Sequence, residues 1–179
     1  MSILKRIGAI IKSEKKAAPT LTSNPFEETK VGDIISFDLE EYVVSGKVAY
    51  FDRGYAPHRY VYYLQNGKSI SCLLVEKGRS YECFICVFIE GALNDINNVP
   101  SRLDIDGEES YELENHGTDI TRTEGNTDFR NNDEILVWRY FATVDQHFFL
   151  QWQDGKFIAM KGMKTPASQI NFMKSTRSK

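Results

Sequence analysis

The sequence predicts a mainly β protein of two similar small antiparallel units, barrel-like or packed as a sandwich, behind an N-terminal amphipathic helix. Runs rich in β-branched and aromatic residues, which favour strands, recur between turn residues. Two turns, at residues 65–68 and 153–156, centre on Asn-Gly and Asp-Gly, pairs that suit tight hairpins. The segments around these turns resemble each other, as do segments near residues 37 and 105, which indicates a tandem repeat.

The predicted domain boundaries follow changes in composition. Residues 1–12 form the amphipathic helix, and residues 13–30, with two prolines and no sustained period, form a flexible tether. The first β unit spans residues 31–99, the second spans residues 100–173, and residues 174–179 are a basic tail. Strands are predicted at residues 33–38, 41–51, 59–65, 69–76, 81–89, 101–114, 135–144, 147–152 and 156–162.

Two connecting segments also carry predictions. Residues 91–99 are expected to form a helical turn between the two units. Residues 115–133 are polar and rich in turn residues, so they are expected to form the longest loop after the tether.

The composition places the chain among soluble globular proteins, with 41% hydrophobic and 26% charged residues in 179. No apolar run approaches the ~20 residues of a membrane-spanning helix. The first residues lack a convincing export cleavage site. Three cysteines give no even disulfide framework, which fits a reducing compartment. We therefore expect a cytoplasmic protein, with peripheral contact at the inner face of the cell membrane as the further expectation.

The charge is distributed unevenly along the chain. Five cations and one carboxylate give residues 1–16 a net charge of +4. Because the whole chain has a net charge of −3, residues 17–179 carry −7. An acidic body argues against nucleic-acid binding. On a helical wheel the first apolar residues share a sector of about 120°, the pattern of a membrane-surface helix. The predicted membrane- or partner-binding residues are Ile3, Leu4, Lys5, Arg6, Ile7, Ile10, Ile11 and Lys12.

Three interpretations of this N-terminal segment stay open. It could bind an anionic membrane surface or a membrane-associated protein, dock on its own β body or a partner helix, or stay disordered. Isolated helices shorter than ~12–15 residues are marginal, so membrane binding should be weak and reversible. The long predicted tether favours an external target.

The sequence offers few groups for catalysis. Cys83 and Cys86 match C-x-x-C, but they lie in a predicted strand, where positions three apart face opposite sides. They are therefore predicted to be buried structural cysteines, as opposed to a reactive pair. His58, His116 and His147 are scattered and lack zinc-site spacing. We predict no catalytic residues, no metal ligands and no cofactor.

Three further segments contain polar or charged side chains, and two of them have alternative interpretations. The acidic stretch 104–114 is either a solvated turn and edge strand or a patch for a basic ligand or polyamine. The connection after residue 51 is either an ordinary strand connection or a recognition loop, whose candidate residues are Arg53, Tyr55, His58 and Arg59. Trp138-Arg139-Tyr140 is predicted to be core with an outward arginine.

The chain resembles a bacterial family that carries only a domain-of-unknown-function label. The residues that carry this resemblance are Gly32-Asp33, Tyr42-Val43-Val44 with Gly46, Tyr62-Tyr63-Leu64 and Tyr111-Glu112-Leu113-Glu114. They would extend it over residues 31–172. Members often have Trp before the second strand, where this chain has Pro57-His58-Arg59, so no binding role is carried over to that position.

The resemblance implies a cellular context, but it provides no catalytic residues that could be carried over to this chain. Such relatives tend to be encoded beside membrane-stress coat proteins, small multispanning membrane proteins and polyamine or peptide-ligase enzymes. The expected function is thus a non-catalytic cytosolic adaptor or binding protein at the inner-membrane surface or on a membrane-associated partner, in an envelope stress response. The alternative is an accessory subunit or small enzyme of polyamine or peptide-ligase metabolism.

Overall fold

The structure, a computed structural model, describes residues 24–54, 56–91, 93–107 and 109–176. These residues contain one short α-helix, α1 (Pro25–Glu28), two 3-10 helices (Ile96–Asn98 and Ala167–Gln169) and eleven strands. The strands are β1 (Ile34–Phe37), β2 (Glu40–Phe51), β3 (Arg59–Asn66), β4 (Ser69–Lys77), β5 (Tyr81–Ile89), β6 (Arg102–Ile105), β7 (Glu109–Gly125), β8 (Asp133–Phe141), β9 (Gln146–Gln153), β10 (Lys156–Thr165) and β11 (Asn171–Met173).

Eight of these strands close into an antiparallel barrel. Their order is β2-β3-β4-β5-β10-β9-β8-β7, and β7 pairs back onto β2. Strands β1 and β11 extend the sheet beyond β2, and β6 extends it beyond β7. The mainly β prediction is confirmed. Two separate units are not supported, because strands from both halves of the chain share one closed sheet.

The two longest strands each change partner along one edge. Residues 40–43 of β2 pair with β1, and residues 46–51 pair with β7. Residues 109–112 of β7 pair with β6, and residues 120–125 pair with β2. Among the described residues, β7 therefore has no strand partner on this edge over residues 114–119. This gap opens the barrel wall beside one end of the barrel.

The prediction of a loop at residues 115–133 is wrong over its first part, since β7 continues to Gly125 and pairs there with β8 and β2. The reason is an inverted burial pattern. Asp119 and Thr121 are buried, whereas the apolar Ile120 between them is 40% exposed. A strand that buries its polar side chains does not show the usual alternation.

Apolar side chains form one cluster inside the barrel and two on its outer faces. The inner cluster includes Cys72 and Cys86, and the first outer cluster, beneath α1, β1 and β11, includes Cys83. The second outer cluster lies beneath β6 and includes Tyr111 and Tyr140. The prediction that Cys83 and Cys86 are buried on opposite faces of a strand is confirmed.

Residues 24–30, part of the predicted tether, lie against the barrel. Phe26 stacks on Tyr81 with ring centroids 4.8 Å apart. Lys47 Nζ donates hydrogen bonds to the carbonyls of Glu27, at 2.5 Å, and Thr29, at 2.9 Å. The predicted amphipathic helix and residues 13–23 of the tether lie outside the described residues. Within those residues, no helix has the length and apolar character needed to cross a membrane.

The predicted turns are found where the sequence indicates them. Gly67 of the β3–β4 hairpin has a φ of +59°, and Asp154 and Gly155 of the β9–β10 hairpin have φ of +51° and +83°. A short 3-10 helix, Ile96–Asn98, occupies the predicted helical turn.

Candidate functional site at the barrel mouth

Charged side chains gather at one end of the barrel, where β2, β4, β8 and β10 end and β3, β5 and β9 begin. They line two neighbouring cavities of about 320 and 570 Å³ that share Arg139. Together these cavities are here called the mouth, and each is one of its lobes. The first lobe is lined by Asp52, His58, Arg59, Glu76, Gly117 and Asp119. The second is lined by Glu82, Glu114, Phe141, Val144, His147 and Lys164.

A buried ion network centred on Glu76 forms the floor between the lobes. Arg59 lies directly opposite Glu76 in the β3–β4 pairing and donates to its Oε1 from Nη2 at 2.6 Å and Nε at 3.0 Å. Arg139 donates to the other carboxylate oxygen of Glu76. The side chains of Arg59, Glu76 and Arg139 are only 8%, 15% and 13% exposed. Both oxygens of Glu76 are therefore occupied by guanidinium groups.

Aromatic rings support both guanidinium groups from inside the barrel. The guanidinium of Arg59 lies 5.7 Å from the ring centroid of Tyr50, and that of Arg139 lies 5.3 Å from the centroid of Phe84. These are cation–π distances. Tyr50 donates to Gln151 Oε1 at 2.7 Å, and burial raises the pKa of Tyr50 well above its ordinary value of 10.0. The layer of side chains beneath the two arginines is thus tightly packed and uncharged.

The charges of the second lobe are mostly paired with one another. Lys164 donates to Glu82 at 2.7 Å, and this hydrogen bond holds the pKa of Glu82 below its ordinary value. Arg139 Nε lies 2.8 Å from a carboxylate oxygen of Glu114, without hydrogen-bond geometry. His147 lies 3.0 Å from the carbonyl of Val144 through Nε2, and its buried Nδ1 has no partner among the described residues.

Asp119, in the first lobe, is a buried carboxylate with only one of its two oxygens bonded within the part of the chain that the structure describes. The residue is 4% exposed, and its Oδ1 lies 2.9 Å from Nε2 of His58. Its buried Oδ2 has no hydrogen-bond partner among the described residues. Gly117 lies two residues earlier on the same strand face, and a Cβ there would meet nothing within 4 Å. Asp119 thus lines the first lobe and has a buried carboxylate oxygen without a donor, which costs free energy unless a partner supplies one.

The predicted recognition loop is only partly at this site. His58 and Arg59 line the mouth, Arg53 is exposed on the connection between β2 and β3, and Tyr55 lies outside the described residues. The three histidines, which are far apart in sequence, all line the mouth: His58 and His116 the first lobe and His147 the second. They lie near the same end of the barrel because the ends of several strands converge there.

The outward orientation expected for Arg139 is also wrong. Trp138 and Tyr140 pack on the outer cluster, so the alternation of β8 turns Arg139 towards the inside of the barrel. Sequence reasoning also missed Glu76 and Asp119 as site residues. The sequence feature that could have identified them is a single charged residue in a strand whose alternate positions are buried: Asp119 lies within β7 and Glu76 near the end of β4.

The acidic stretch 104–114 is divided among different partners. Lys161 and Tyr111 bind Glu109, at 2.7 and 2.6 Å, and the hydrogen bond from Lys161 lowers the pKa of Glu109. Glu114 faces the mouth, and the exposed Asp104 lies 3.8 Å from Arg102. This stretch therefore lies along β6 and β7 and does not converge on one point.

The remaining groups with metal-binding or nucleophilic chemistry lie elsewhere. No cluster of His, Cys, Asp and Glu within the described ranges could hold a metal ion. The three cysteines are buried, and burial raises the pKa of Cys72 and raises that of Cys83 to about 11.

Comparison with known proteins finds a family but no characterised relative. The model of the DUF4178 family, a domain of unknown function, matches residues 30–167, which is more than half of the chain. No curated protein and no solved structure matches the sequence.

Proposed function

The chain belongs to the DUF4178 family, and we propose that it is a non-catalytic binding protein whose barrel mouth holds a polar group of a ligand. The observation that carries this proposal is the buried, unpartnered Oδ2 of Asp119, a residue that lines the open first lobe. A folded protein rarely buries a carboxylate oxygen without a donor, and a ligand that binds in the first lobe would supply that donor.

The rest of the mouth supports recognition more than covalent chemistry. Arg59 and Arg139 are fixed by Glu76 and by aromatic rings, so they shape the cleft without being free to move with a reacting group. The thiols of Cys72 and Cys86 lie in the inner cluster with Cys72 held protonated by burial, not at the surface of the cleft.

A fragment titration monitored by amide NMR spectra of the full chain tests this proposal. Small polar fragments should shift amide signals of residues 115–119 and of the strand ends around them. Gly117→Val should abolish those shifts, because its side chain would fill the open space above Asp119. Shifts that never centre on the mouth would count against the proposal.

We propose further that the protein acts as an adaptor at the inner-membrane surface or on a membrane-associated partner. The basic, apolar pattern of residues 3–12 supports this part. Asn24, the first described residue, bonds to the hydroxyl of Tyr81, and Glu27 pairs with Lys77 at 2.7 Å. Because Tyr81 and Lys77 stand at the mouth end of β5 and β4, Asn24 and Glu27 lie on the mouth side of the barrel.

Vesicle co-sedimentation tests the membrane part. The full chain should pellet with vesicles that contain anionic phosphatidylserine more than with neutral phosphatidylcholine vesicles. Replacing Ile7 and Ile10 together by serine should reduce pelleting severalfold, while Ile70→Ser, on an exposed β4 position, should not. Equal pelleting of all three chains would remove residues 3–12 from the mechanism.

A second candidate is a small enzyme or accessory subunit of polyamine or peptide-ligase chemistry. The observation that favours it is the His58–Asp119 pair, since a histidine fixed by a carboxylate can act as a general base. Incubating the full chain with a polyamine, a short peptide and Mg–ATP, followed by mass spectrometry, would detect a ligation product. Product formed by the wild-type chain and lost in His58→Ala would favour this candidate over the binding protein.

The acidic stretch 104–114 is the predicted site for a basic ligand or polyamine. Its exposed carboxylates, such as Asp104, are the groups available for that role. A titration in which polyamine shifts concentrate on β6 and not on the mouth would support it.

A further inference from the structure

We propose that the group received at Asp119 is a protonated nitrogen that carries N–H donors, namely a primary ammonium or a guanidinium. The proposal rests on the function proposed above, that the mouth is a ligand site, and adds the chemical class of the ligand.

The charges of the first lobe favour a cation over an anion. Both arginines are already bound by carboxylates, and Lys77, which also lines this lobe, pairs with Glu27. An anion would therefore have to displace Glu27, Glu76, Glu82 or Glu114. Asp119, by contrast, has only the imidazole of His58 within ion-pair distance among the described residues. Asp52 lines the same lobe and forms no ion pair within the described ranges. Asp52 and Asp119 are therefore the carboxylates of this lobe that have no lysine or arginine partner among the described residues.

The unpartnered oxygen also specifies a hydrogen-bond donor. Asp119 Oδ1 is occupied by His58, and Oδ2 is buried without a donor. A cation without N–H groups would balance the charge and still leave Oδ2 unbonded. A primary ammonium or guanidinium supplies both the charge and the donor, and such charge-assisted hydrogen bonds are the stronger ones.

The cleft gives such a group a route to Asp119. Gly117 leaves open space on the same strand face, and the first lobe, at about 320 Å³, has room for a nitrogen head group with a small organic body. Residues 114–119 of β7 have no neighbouring strand on their outer edge among the described residues, and Gly117 is exposed there.

Three probes that share a phenyl ring but differ in charge and in N–H donors test the chemistry. The full chain, labelled with nitrogen-15, is titrated with benzylammonium, benzyltrimethylammonium and benzoate. Benzylammonium should shift amide signals around Asp119, because it has both positive charge and N–H donors. Benzyltrimethylammonium, with the same charge and no N–H, should bind at least about tenfold more weakly, the scale expected for one lost charged hydrogen bond.

Variants assign the effect to this carboxylate. Asp119→Asn should weaken benzylammonium binding at least about tenfold, whereas Glu41→Gln, which removes an exposed charge on β2, should change it less than about twofold. If Asp119→Asn does not fold, Gly117→Val provides the second variant, since a Cβ there meets nothing within 4 Å and the longer side chain should block the cleft.

The other outcomes distinguish a failure of this inference from a failure of the proposed ligand-binding function. Shifts at the mouth with benzoate alone would overturn the inference and leave the mouth as a ligand site for anions. Equal binding of the two cations, unaffected by Asp119→Asn, would also overturn it. No shift at the mouth with any probe would overturn both the inference and the proposed ligand site.

Discussion

Gly46 of β2 and Gly125 of β7 lie directly opposite each other at the seam that closes the barrel. A Cβ on Gly46 would lie 2.0 Å from the carbonyl oxygen of Asn126. A Cβ on Gly125, whose φ is +70°, would lie 2.5 Å from the carbonyl oxygen of Ser45. The strands therefore approach here more closely than any residue with a side chain allows.

This close approach predicts that Gly46→Ala destabilises the protein. The added methyl group meets backbone, which cannot rotate away, so we expect a loss of at least about 1–3 kcal/mol in the free energy of unfolding. Urea denaturation measures it. Gly117→Ala is the matched control, because its Cβ would meet nothing within 4 Å. Equal unfolding midpoints for the two variants would contradict the close-approach explanation.

The ion network at the mouth predicts a large cost for Glu76→Gln. The substitution leaves Arg59 and Arg139 buried without their shared carboxylate, and breaking a buried ion pair in this way costs about 3–5 kcal/mol. Asp104→Asn removes a carboxylate from the exposed pair with Arg102 and should cost less than about 1 kcal/mol. Thermal and urea unfolding of both variants measure the difference, and a small loss in Glu76→Gln would show that the network tolerates an amide.

Most strands of the barrel could be predicted from the sequence because their residues alternate or form apolar runs. The β3–β4 and β9–β10 hairpins also have turn residues that tolerate positive φ, namely Gly67, Asp154 and Gly155. These signals are local, and local signals do not say which strands meet. The closure of β7 onto β2 therefore could not be predicted, and two small units remained as good an interpretation as one barrel.

The mouth was missed for the same physical reason. Glu76 and Arg139 are 63 residues apart in sequence, and only the closed sheet brings them together. Asp119 lies in a segment whose buried positions are polar, so its strand resembled a loop. His58 and Arg59 were predicted as recognition residues from their position between two strands, but their partners Asp119 and Glu76 were not identifiable.

The contacts of Lys47 predict that this side chain holds residues 24–30 against the barrel. Its ammonium bonds to the carbonyls of Glu27 and Thr29 and lies 5.3 Å from the ring centroid of Tyr60, and burial lowers its pKa. Lys47→Met keeps the apolar stem and removes these bonds. We expect faster amide hydrogen exchange at residues 26–29, with a smaller change in the barrel strands, because local opening is less costly than global unfolding.

The control for this prediction is Lys68→Met in the β3–β4 hairpin, which removes an exposed lysine. Hydrogen exchange at residues 26–29 should stay unchanged in that variant. If Lys47→Met also left those amides protected, the contacts of Phe26 with Tyr81 and Phe172 would be sufficient to hold the segment.

Buried tyrosines predict a loss of stability in alkaline solution. Burial raises the pKa of Tyr60 and of Tyr140 to about 12, from an ordinary value of 10.0. Between these values the folded protein keeps protons that the unfolded chain has lost, so the folded state binds more protons and stability falls as pH rises. The contribution is complete below pH 10 and declines above it. Lys47, with its lowered pKa, acts in the opposite direction, but it is one group against several tyrosines.

Urea unfolding at about pH 8 and pH 11 measures this decline, and the midpoint should be lower at the higher pH. Tyrosinate absorbance supplies an independent measure, because the folded chain should ionise fewer tyrosines at pH 11 than the urea-unfolded chain does. Tyr60→Phe should reduce the decline, since it removes one phenol whose pKa differs between the two states. An unfolding midpoint that stays constant or rises up to pH 11 would mean that these phenols ionise within the folded barrel without cost.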